Sequence, residues 1–324
     1  VSGDPSVGYR HVGCLGTVDA PTTTALADHL RPRLEAGDPL VLACSAALRD
    51  ALQARLPSGA SVAVVDEDVL VGRTSDALAG YTALIDEHAP AAGSRLLLVT
   101  DSSHGSGRPA WLQTEALLNH VLADRALDHV CLLDHADLGE DIDRASSCHP
   151  RLLGADGVVA NAGYREPADL LRELGRVDLA DPLEDAPPTL ALQDVGDMRV
   201  LRRALQGLFA DGPLPADDAE DLVLAIDEVV ANAAEHGVPP VDVRLWVTPE
   251  QVLCVVSDHG PGFDEPLTGY GPAHGGDLSV GGMGLWLARR AVDSMTTGPL
   301  DADGEGCVVR LSIDPRLRSA DRVS

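Results

Sequence analysis

Short apolar runs alternating with stretches of helical period organise the first half of the chain. The runs at 39–45 (PLVLACS), 61–66 (SVAVVD), 95–101 (RLLLVTD), 129–134 (HVCLLD) and 157–161 (GVVAN) are short and bounded by turn residues, which predicts strands. Between them lie TTTALADHLRPRLEAG and WLQTEALLNHVLADRAL, rich in Ala, Leu and Arg with helical spacing. Strand and helix in alternation predict an α/β domain with a mostly parallel sheet covered by helices. From Arg165 to Pro188 the text turns polar, acidic and Pro-containing, a composition that suits a connection. The expected division is a first domain over 1–165, a linker over 166–187, a second domain over 188–315 and a tail over 316–324.

The second half has a different rhythm. A helical stretch at 198–210 and a Pro/Gly turn precede a longer helix, whose start is predicted by a capping box of Asp217 with Glu220 and whose stop is predicted by Gly237, Pro239 and Pro240. Strand runs follow at 241–248 and 251–258, then a Gly-rich loop, a helix over 284–295 and a last strand over 306–313. Helices followed by antiparallel strands predict a two-layer α+β sandwich. On the long helix Leu222, Ile226, Val229 and Ala233 share one face, and Glu228, Asn232 and His236 form a polar stripe about a quarter turn away. By itself such a stripe is equally a set of half-exposed polar residues bordering a core.

Composition narrows the function classes. The formal net charge is −27, from 51 acidic against 24 basic residues, and none of the basic residues is Lys. Such a surface repels phosphate backbones and anionic membrane, so direct nucleic-acid or membrane binding is not expected and a protein partner is. The six cysteines form no CxxC pair and are widely spaced, which predicts reduced thiols. With no basic and apolar N-terminal signal and no apolar run of about 20 residues, a cytoplasmic location is expected.

Two glycine clusters accompany the polar stripe. SDHGPGF (257–263) ends an apolar run at Asp258 and places Gly260 and Gly262 where backbone turns tightly. GGMGLWLARR (281–290) opens a helix with Gly282 and Gly284, where free N–H groups suit a phosphate. In this order, with E-x-x-x-N and a following His-Gly upstream, residues 190–313 resemble the GHKL (HATPase) superfamily with its Bergerat-type sandwich, and within it the anti-sigma-factor serine/threonine kinases. The resemblance implies ATP and Mg²⁺ as cofactors, with Asn232 helping to hold the metal, Glu228 orienting or deprotonating the attacking hydroxyl, and Asp258 accepting from the adenine amino group. Gly260, Gly262, Gly282 and Gly284 would line the nucleotide, and His236 is a further candidate. It implies as partner a STAS-type anti-sigma-factor antagonist, a sigma factor, or both, and allows a homodimer. Two departures from the pattern stand out. The presumed lid from Phe263 to Gly281 holds no Arg or Lys, and Gly306-Cys307 replaces the family's late Gly-Thr. A catalytically weak, ATP-dependent binding module therefore stays open beside a kinase. No helix with a phosphoacceptor His lies between the domains, which disfavours an autophosphorylating histidine kinase.

Residues 9–165 resemble the MEDS sensory family, through YRHVGCL, EALLNHVL, HVCLLD, CHPRLL and NAGYREP in order. That resemblance implies a RecA-like α/β fold. The AALRDALQ that follows PLVLACS lacks G-x-x-x-x-G-K-[ST], so nucleotide binding is not expected there. Glu115, Asn119, Cys131, Cys148 and His149 are the candidate sensor residues by donor chemistry, with buried thiols and a capping His as the plainer alternative. His11 and Cys14 have metal-like spacing too weak to name a ligand.

Overall fold

The computed structural model describes residues 8–89, 93–103, 109–154, 156–177, 181–210, 212–262, 266–270, 283–300 and 305–316. The chain divides into two compact units, Val1–Leu170 and Leu171–Ser324.

The first unit runs β1 (Arg10–Leu15), α1 (Ala20–Glu35), β2 (Leu40–Leu42), α2 (Ala46–Gln53), β3 (Val62–Val64), α3 (Thr74–Glu87), β4 (Leu96–Asp101), α4 (Pro109–Val121), β5 (Leu127–Leu133), α5 (His135–Leu138), α6 (Ile142–Ser147), β6 (Arg151–Gly154), β7 (Gly157–Ala160) and α7 (Pro167–Val177), the last straddling the division. The strands form one sheet in the order β3-β2-β4-β5-β1-β6-β7, parallel except for β7 against β6. Two strands, β1 and β6, carry no clean sequence signal. The first is interrupted by Gly13 and the second spans four residues, too few for periodicity.

Alternation along β1 and β5 sorts side chains onto two chemically different faces. Val12, Cys14, Val130 and Leu132 join Leu97 and Val99 of β4 in a core with Leu26 and Leu30 of α1 and Leu48 and Leu52 of α2. His11, Gly13, His129 and Cys131 point the other way, aligned by the register His11↔His129 and Gly13↔Cys131, with Thr100 of β4 opposite Cys131. The buried polar residues of β1, β4 and β5 therefore gather on one face.

The second unit runs β8 (Leu190–Leu192), α8 (Met198–Phe209), α9 (Ala216–His236), β9 (Asp242–Val247), β10 (Val252–Asp258), α10 (Met283–Ala291), β11 (Ser294–Gly298) and β12 (Cys307–Ile313). Its antiparallel sheet has the order β11-β12-β10-β9-β8. Leu222, Ile226, Val229 and Ala233 of α9 pack with Leu201 and Leu205 of α8, Leu285 and Ala288 of α10, and the inward residues Val243, Leu245, Cys254, Val256, Val309 and Leu311. Each fully buried Leu or Ile in such a core stabilises by roughly 1.5–3 kcal/mol.

Three expectations change. No capping box starts α9: Pro215 is the N-cap residue, and Asp217 falls inside the first turn, beyond the position from which it could cap. It still carries negative charge near the helix's positive end. The helix expected over 284–295 stops at Ala291, and residues 294–298 form β11 along β12, where β-branched Thr296 and Thr297 suit a strand. The described parts of the segment expected to link the domains carry regular structure. Residues 167–177 are helical, and 182–185 form a 3₁₀ turn with a capping box from Asp181 and Glu184. That turn covers the outer face of the second sheet, with Leu183 against Trp246, Leu253, Val255 and Val308. The Trp246 indole donates to Ala186 O at 2.8 Å, Gln251 donates to Asp181 at 2.7 Å, and Arg310 Nε donates to Glu184 at 2.5 Å. Glu184 meets the sheet residues Arg310 and Arg244 and Asp181 meets Gln251, which is why a polar composition belongs here to a packed segment.

Glu184→Ala leaves the Arg310 guanidinium largely buried without its carboxylate, and should destabilise the second unit by about 1.5–3 kcal/mol in urea unfolding followed by tryptophan fluorescence. Arg199→Gln, in an exposed pair with Asp197, should leave the midpoint unchanged.

Candidate functional site

In the second unit, one carboxylate organises the backbone around it. Asp258, the last residue of β10, is 5% exposed, and its Oδ1 accepts from Gly260 N at 2.6 Å and Val238 N at 3.2 Å. His259 N donates to Val238 O at 2.8 Å, so the end of α9 and the turn after β10 are tied together. Oδ2 has no hydrogen-bond partner among the described residues, which leaves a fixed carboxylate acceptor.

The glycines nearby follow from close approach. A Cβ on Gly237 would stand 2.5 Å from the Asp258 carboxylate, and one on Gly260 would stand 2.7 Å from its Oδ1 and 2.9 Å from Gly237 Cα. Gly262 and Gly306 adopt φ of 80° and 72°, a region costly for other residues. Cys307 lies opposite Asp258 in the β10–β12 register, and burial, helped by that carboxylate, pushes its thiol up to about 12. A buried neutral thiol thus occupies the point where the resemblance expects a hydroxyl.

The polar stripe of α9 runs toward this centre. Glu228 is half-buried and faces the start of α10, where a Cβ on Gly284 would stand 2.3 Å from Glu228 Oε2. Gly284 is therefore what lets α10 approach the carboxylate. Asn232, one turn on, has a buried side-chain nitrogen with no hydrogen-bond partner among the described residues. His236 is exposed at the helix end. Gly282 lies outside the described residues, as does most of the lid between Phe263 and Gly281. Arg289 does not face solvent freely. It stacks on Tyr270 at 3.8 Å, donates to the Tyr270 hydroxyl at 2.7 Å, and also reaches Thr268 O and Met295 O. Arg290 is exposed and lies over the Trp286 ring.

The first unit brings together a second group of polar residues. His11 of β1, Glu115 of α4, Cys131 of β5 and His149, which follows α6, are all buried, and one donor atom from each lies within 4.8 Å of every other. Gly13 makes room for the ring: a Cβ there would stand 3.0 Å from His149 Cγ. Around the four, His129 takes Tyr9 OH at 2.7 Å on Nδ1 and Thr100 Oγ1 at 2.9 Å on Nε2. Of the residues expected as sensor candidates, Glu115, Cys131 and His149 meet here. Asn119 borders the group, acting on the His11 ring while its amide donates to Cys148 O at 2.6 Å, and the Cys148 thiol turns away to Arg144 O at 3.5 Å. Sequence reasoning noted His11 only for its spacing from Cys14 and passed over His129. Cys14 cannot join His11, since alternation puts it on the opposite face.

Burial dominates the ionisation of this group. It lowers the His11 and His149 pKa values to about 3 and that of His129 well below its ordinary value, and it raises the Glu115 carboxyl and the Cys131 thiol. The entries to α1 and α2 carry carboxylates. Asp19 accepts from Thr22 N at 2.8 Å at the start of α1. At the start of α2, Ser45 N and Oγ donate to Asp101 Oδ2 at 3.0 and 2.5 Å. A phosphate would meet carboxylates at both.

Comparison with known proteins agrees with the second unit's geometry. Residues 192–313 match the model of the histidine kinase-like ATPase domain. That stretch is a histidine kinase-like ATPase domain, a class that implies ATP binding. It resembles the serine-protein kinase RsbW of Staphylococcus aureus (strain MSSA476), at 29% identity over 109 residues, covering 30% of this chain and 69% of that one. RsbW of Staphylococcus epidermidis is similar at 28% identity over the same shares. Among solved structures, the mycobacterial sensor histidine kinase MprB aligns with 39% of this chain and 96% of its own at 19% identity, with a TM-score of 0.24. No described helix is long and apolar enough to cross a membrane.

The buried imidazoles give the first unit an acid-labile character whose sign can be worked out. A histidine held neutral when folded binds its proton near 6.5 only when unfolded, so stability is lost as pH falls from about 6.5 toward 3. Glu115, with its pKa raised, acts in the opposite sense, holding a folded-state proton that the unfolded chain releases. Three histidines against one carboxyl leave a net loss, so the midpoint of the first unit's unfolding should drop steadily between pH 6.5 and 4. Replacing His129 by Asn should flatten that slope. Circular-dichroism melts of the metal-free chain across the pH range measure both.

Proposed function

We propose that the chain is a two-unit signalling regulator whose second unit binds Mg²⁺-ATP and transfers the γ-phosphoryl group to a Ser or Thr of an antagonist protein of the STAS type, as an anti-sigma-factor kinase would. The observation that carries this reading is the approach of Gly284 to Glu228 beside the Asp258 centre. It supports one carboxylate for the base, one for the nucleobase, and a helix N-terminus at Glu228 for phosphates. Asp258 Oδ2 is an acceptor for the adenine amino group, a group that guanine lacks at that position. Asn232 is the residue suited to Mg²⁺. Its buried amide lacks a partner, and rotation about its Cβ–Cγ bond presents the carbonyl oxygen that a hard cation prefers. The metal would supply charge neutralisation on the triphosphate.

In the proposed reaction the partner's hydroxyl oxygen attacks the γ-phosphorus, the bond from γ-phosphorus to the β,γ-bridging oxygen breaks, and the hydroxyl proton goes to Glu228 as ADP forms. The first unit is read as the sensory, MEDS-type part. Its mostly parallel strand order supports a RecA-like reading, and the carboxylates of Asp19 and Asp101 at the entries to α1 and α2 argue against a second nucleotide site there.

A second reading, an ATP-dependent binding module without transfer, is favoured by one observation. Arg289, which heads the last turn of α10, is committed to Tyr270, Thr268 and Met295, so it is not free to meet charge developing on a phosphoryl group.

Two substitutions separate these readings. Asp258→Asn should weaken ATP binding by the full chain roughly 10- to 100-fold, the worth of a buried charged hydrogen bond, with no residual tight site contributed by the first unit. Calorimetry measures this, and wild-type affinity in the variant would contradict the assignment. Glu228→Gln should leave ATP affinity within a few fold yet lower transfer of labelled phosphate to a cognate antagonist by roughly 10²–10⁴. If the wild type captures that antagonist in an ATP-dependent way and transfers nothing, the binding module stands.

A further inference from the structure

We propose that His11 Nε2, Glu115 Oε2, Cys131 Sγ and His149 Nε2 form a closed, tetrahedral zinc site in the first unit. The distances carry the geometry. His11 Nε2 lies 3.3 Å from Cys131 Sγ and 3.5 Å from Glu115 Oε2, Glu115 Oε2 lies 3.6 Å from His149 Nε2, and Cys131 Sγ lies 3.8 Å from Glu115 Oε2. A zinc ion with bonds of about 2.0–2.3 Å to N, O and S in tetrahedral array sets its donors about 3.2–3.8 Å apart. These four separations match four of the six edges of that tetrahedron, and the other two, from His149 to His11 and to Cys131, lie within 4.8 Å.

The orientation of His149 points the same way. Its Nδ1 lies 2.9 Å from Ala145 O, and a carbonyl only accepts, so that nitrogen carries the proton. The lone pair is therefore on Nε2, which is buried among the other three donors and has no hydrogen-bond partner among the described residues. A ring N–H given to a backbone carbonyl with the other nitrogen free is the arrangement that metal-binding imidazoles adopt. His129 is excluded as a ligand by the opposite observation: both of its nitrogens are engaged, by Tyr9 and Thr100, although Nε2 lies 3.2 Å from Cys131 Sγ.

Charge and donor type select the ion. A thiolate and a carboxylate together balance a divalent cation exactly once, and the two imidazoles add none, so the loaded site is neutral in an interior where net charge is costly. Nitrogen and sulfur donors exclude Mg²⁺ and Ca²⁺ and suit zinc. Four protein ligands leave no open position for substrate, which makes the ion a structural or sensing element that ties β1, α4, β5 and the α6–β6 connection together. Each ligand falls in a different one of four segments, YRHVGCL, EALLNHVL, HVCLLD and CHPRLL.

The test uses the full chain without nucleotide, so it stands apart from the kinase reading. Elemental mass spectrometry of the purified chain should find about one zinc per chain. The chelator-stripped chain, titrated with cobalt(II) alone, should develop the intense visible bands of four-coordinate cobalt and a near-ultraviolet thiolate charge-transfer band, both saturating at one equivalent. Cys131→Ser should abolish the charge-transfer band and His149→Gln should weaken binding at least about 10-fold, a shift of 1.4 kcal/mol. Cys14→Ser, on the other face of β1, should keep both bands. A chain whose circular dichroism shows it folded, yet which holds no zinc and gives no four-coordinate cobalt spectrum, overturns the proposal. So does a chain in which the bands survive Cys131→Ser, or one that carries a different metal in zinc's place.

Discussion

The second unit is built around the hydrogen bonds that Asp258 Oδ1 accepts from the backbone of Val238 and Gly260. Those two bonds hold the end of α9 against the turn after β10, and they fix the carboxylate in a nearly dry position with one oxygen left over. The rest of the site follows from how closely backbone must approach that point. Gly237 and Gly260 leave no room for a Cβ, and Gly306 brings the start of β12 within 2.9 Å of Asp258 O, measured to its would-be Cβ. With α9 pinned at its C-terminal end and packed through Leu222, Ile226 and Val229, Glu228 and Asn232 are presented along one line toward α10. A similar device, a missing side chain at Gly284, sets how near α10 comes to Glu228.

The first unit solves a different problem with the same tools. Register and alternation gather histidines, a thiol and a hydroxyl on one face of a sheet whose other face is a plain aliphatic core. Burying such a group is unfavourable unless its members satisfy one another or hold a cation. His129 is satisfied by Tyr9 and Thr100, whereas His149 Nε2 is not. This contrast between neighbouring imidazoles is what distinguishes a metal site from a hydrogen-bonded polar core.

Much of the second unit was legible in the sequence because its chemistry sits on local patterns. E-x-x-x-N is one helical turn, and Asp258 with Gly260 and Gly262 is one strand end, so spacing alone brings their residues close. The strand β11 was not legible, because the apolar positions of α10 continue in helical phase through Val292 and Met295, and only pairing with β12 decides the matter. The packed segment at 181–187 was hidden by its acidity, which meets Arg310 and Arg244 from strands far away in sequence. In the first unit the donor types were recognisable, but their grouping was not. His11 meets Cys131 across 120 residues through a parallel strand pair, and no periodicity encodes which strands become neighbours. Cys148 next to His149 looks equivalent in sequence, yet its thiol is turned back into α6.

The most direct measurement of the central claim is hydrogen–deuterium exchange of the full chain with and without Mg²⁺ and a non-hydrolysable ATP analogue. A site centred on Asp258 predicts slowed exchange in the backbone of 232–238, 258–262 and 284–290, because a nucleotide seated on Asp258 steadies the end of α9, the turn after β10 and the first turn of α10. It predicts no change at the entries to α1 and α2 in the first unit, where a phosphate would meet the carboxylates of Asp19 and Asp101. Protection confined to those first-unit entries, or no protection anywhere at saturating nucleotide, would contradict it.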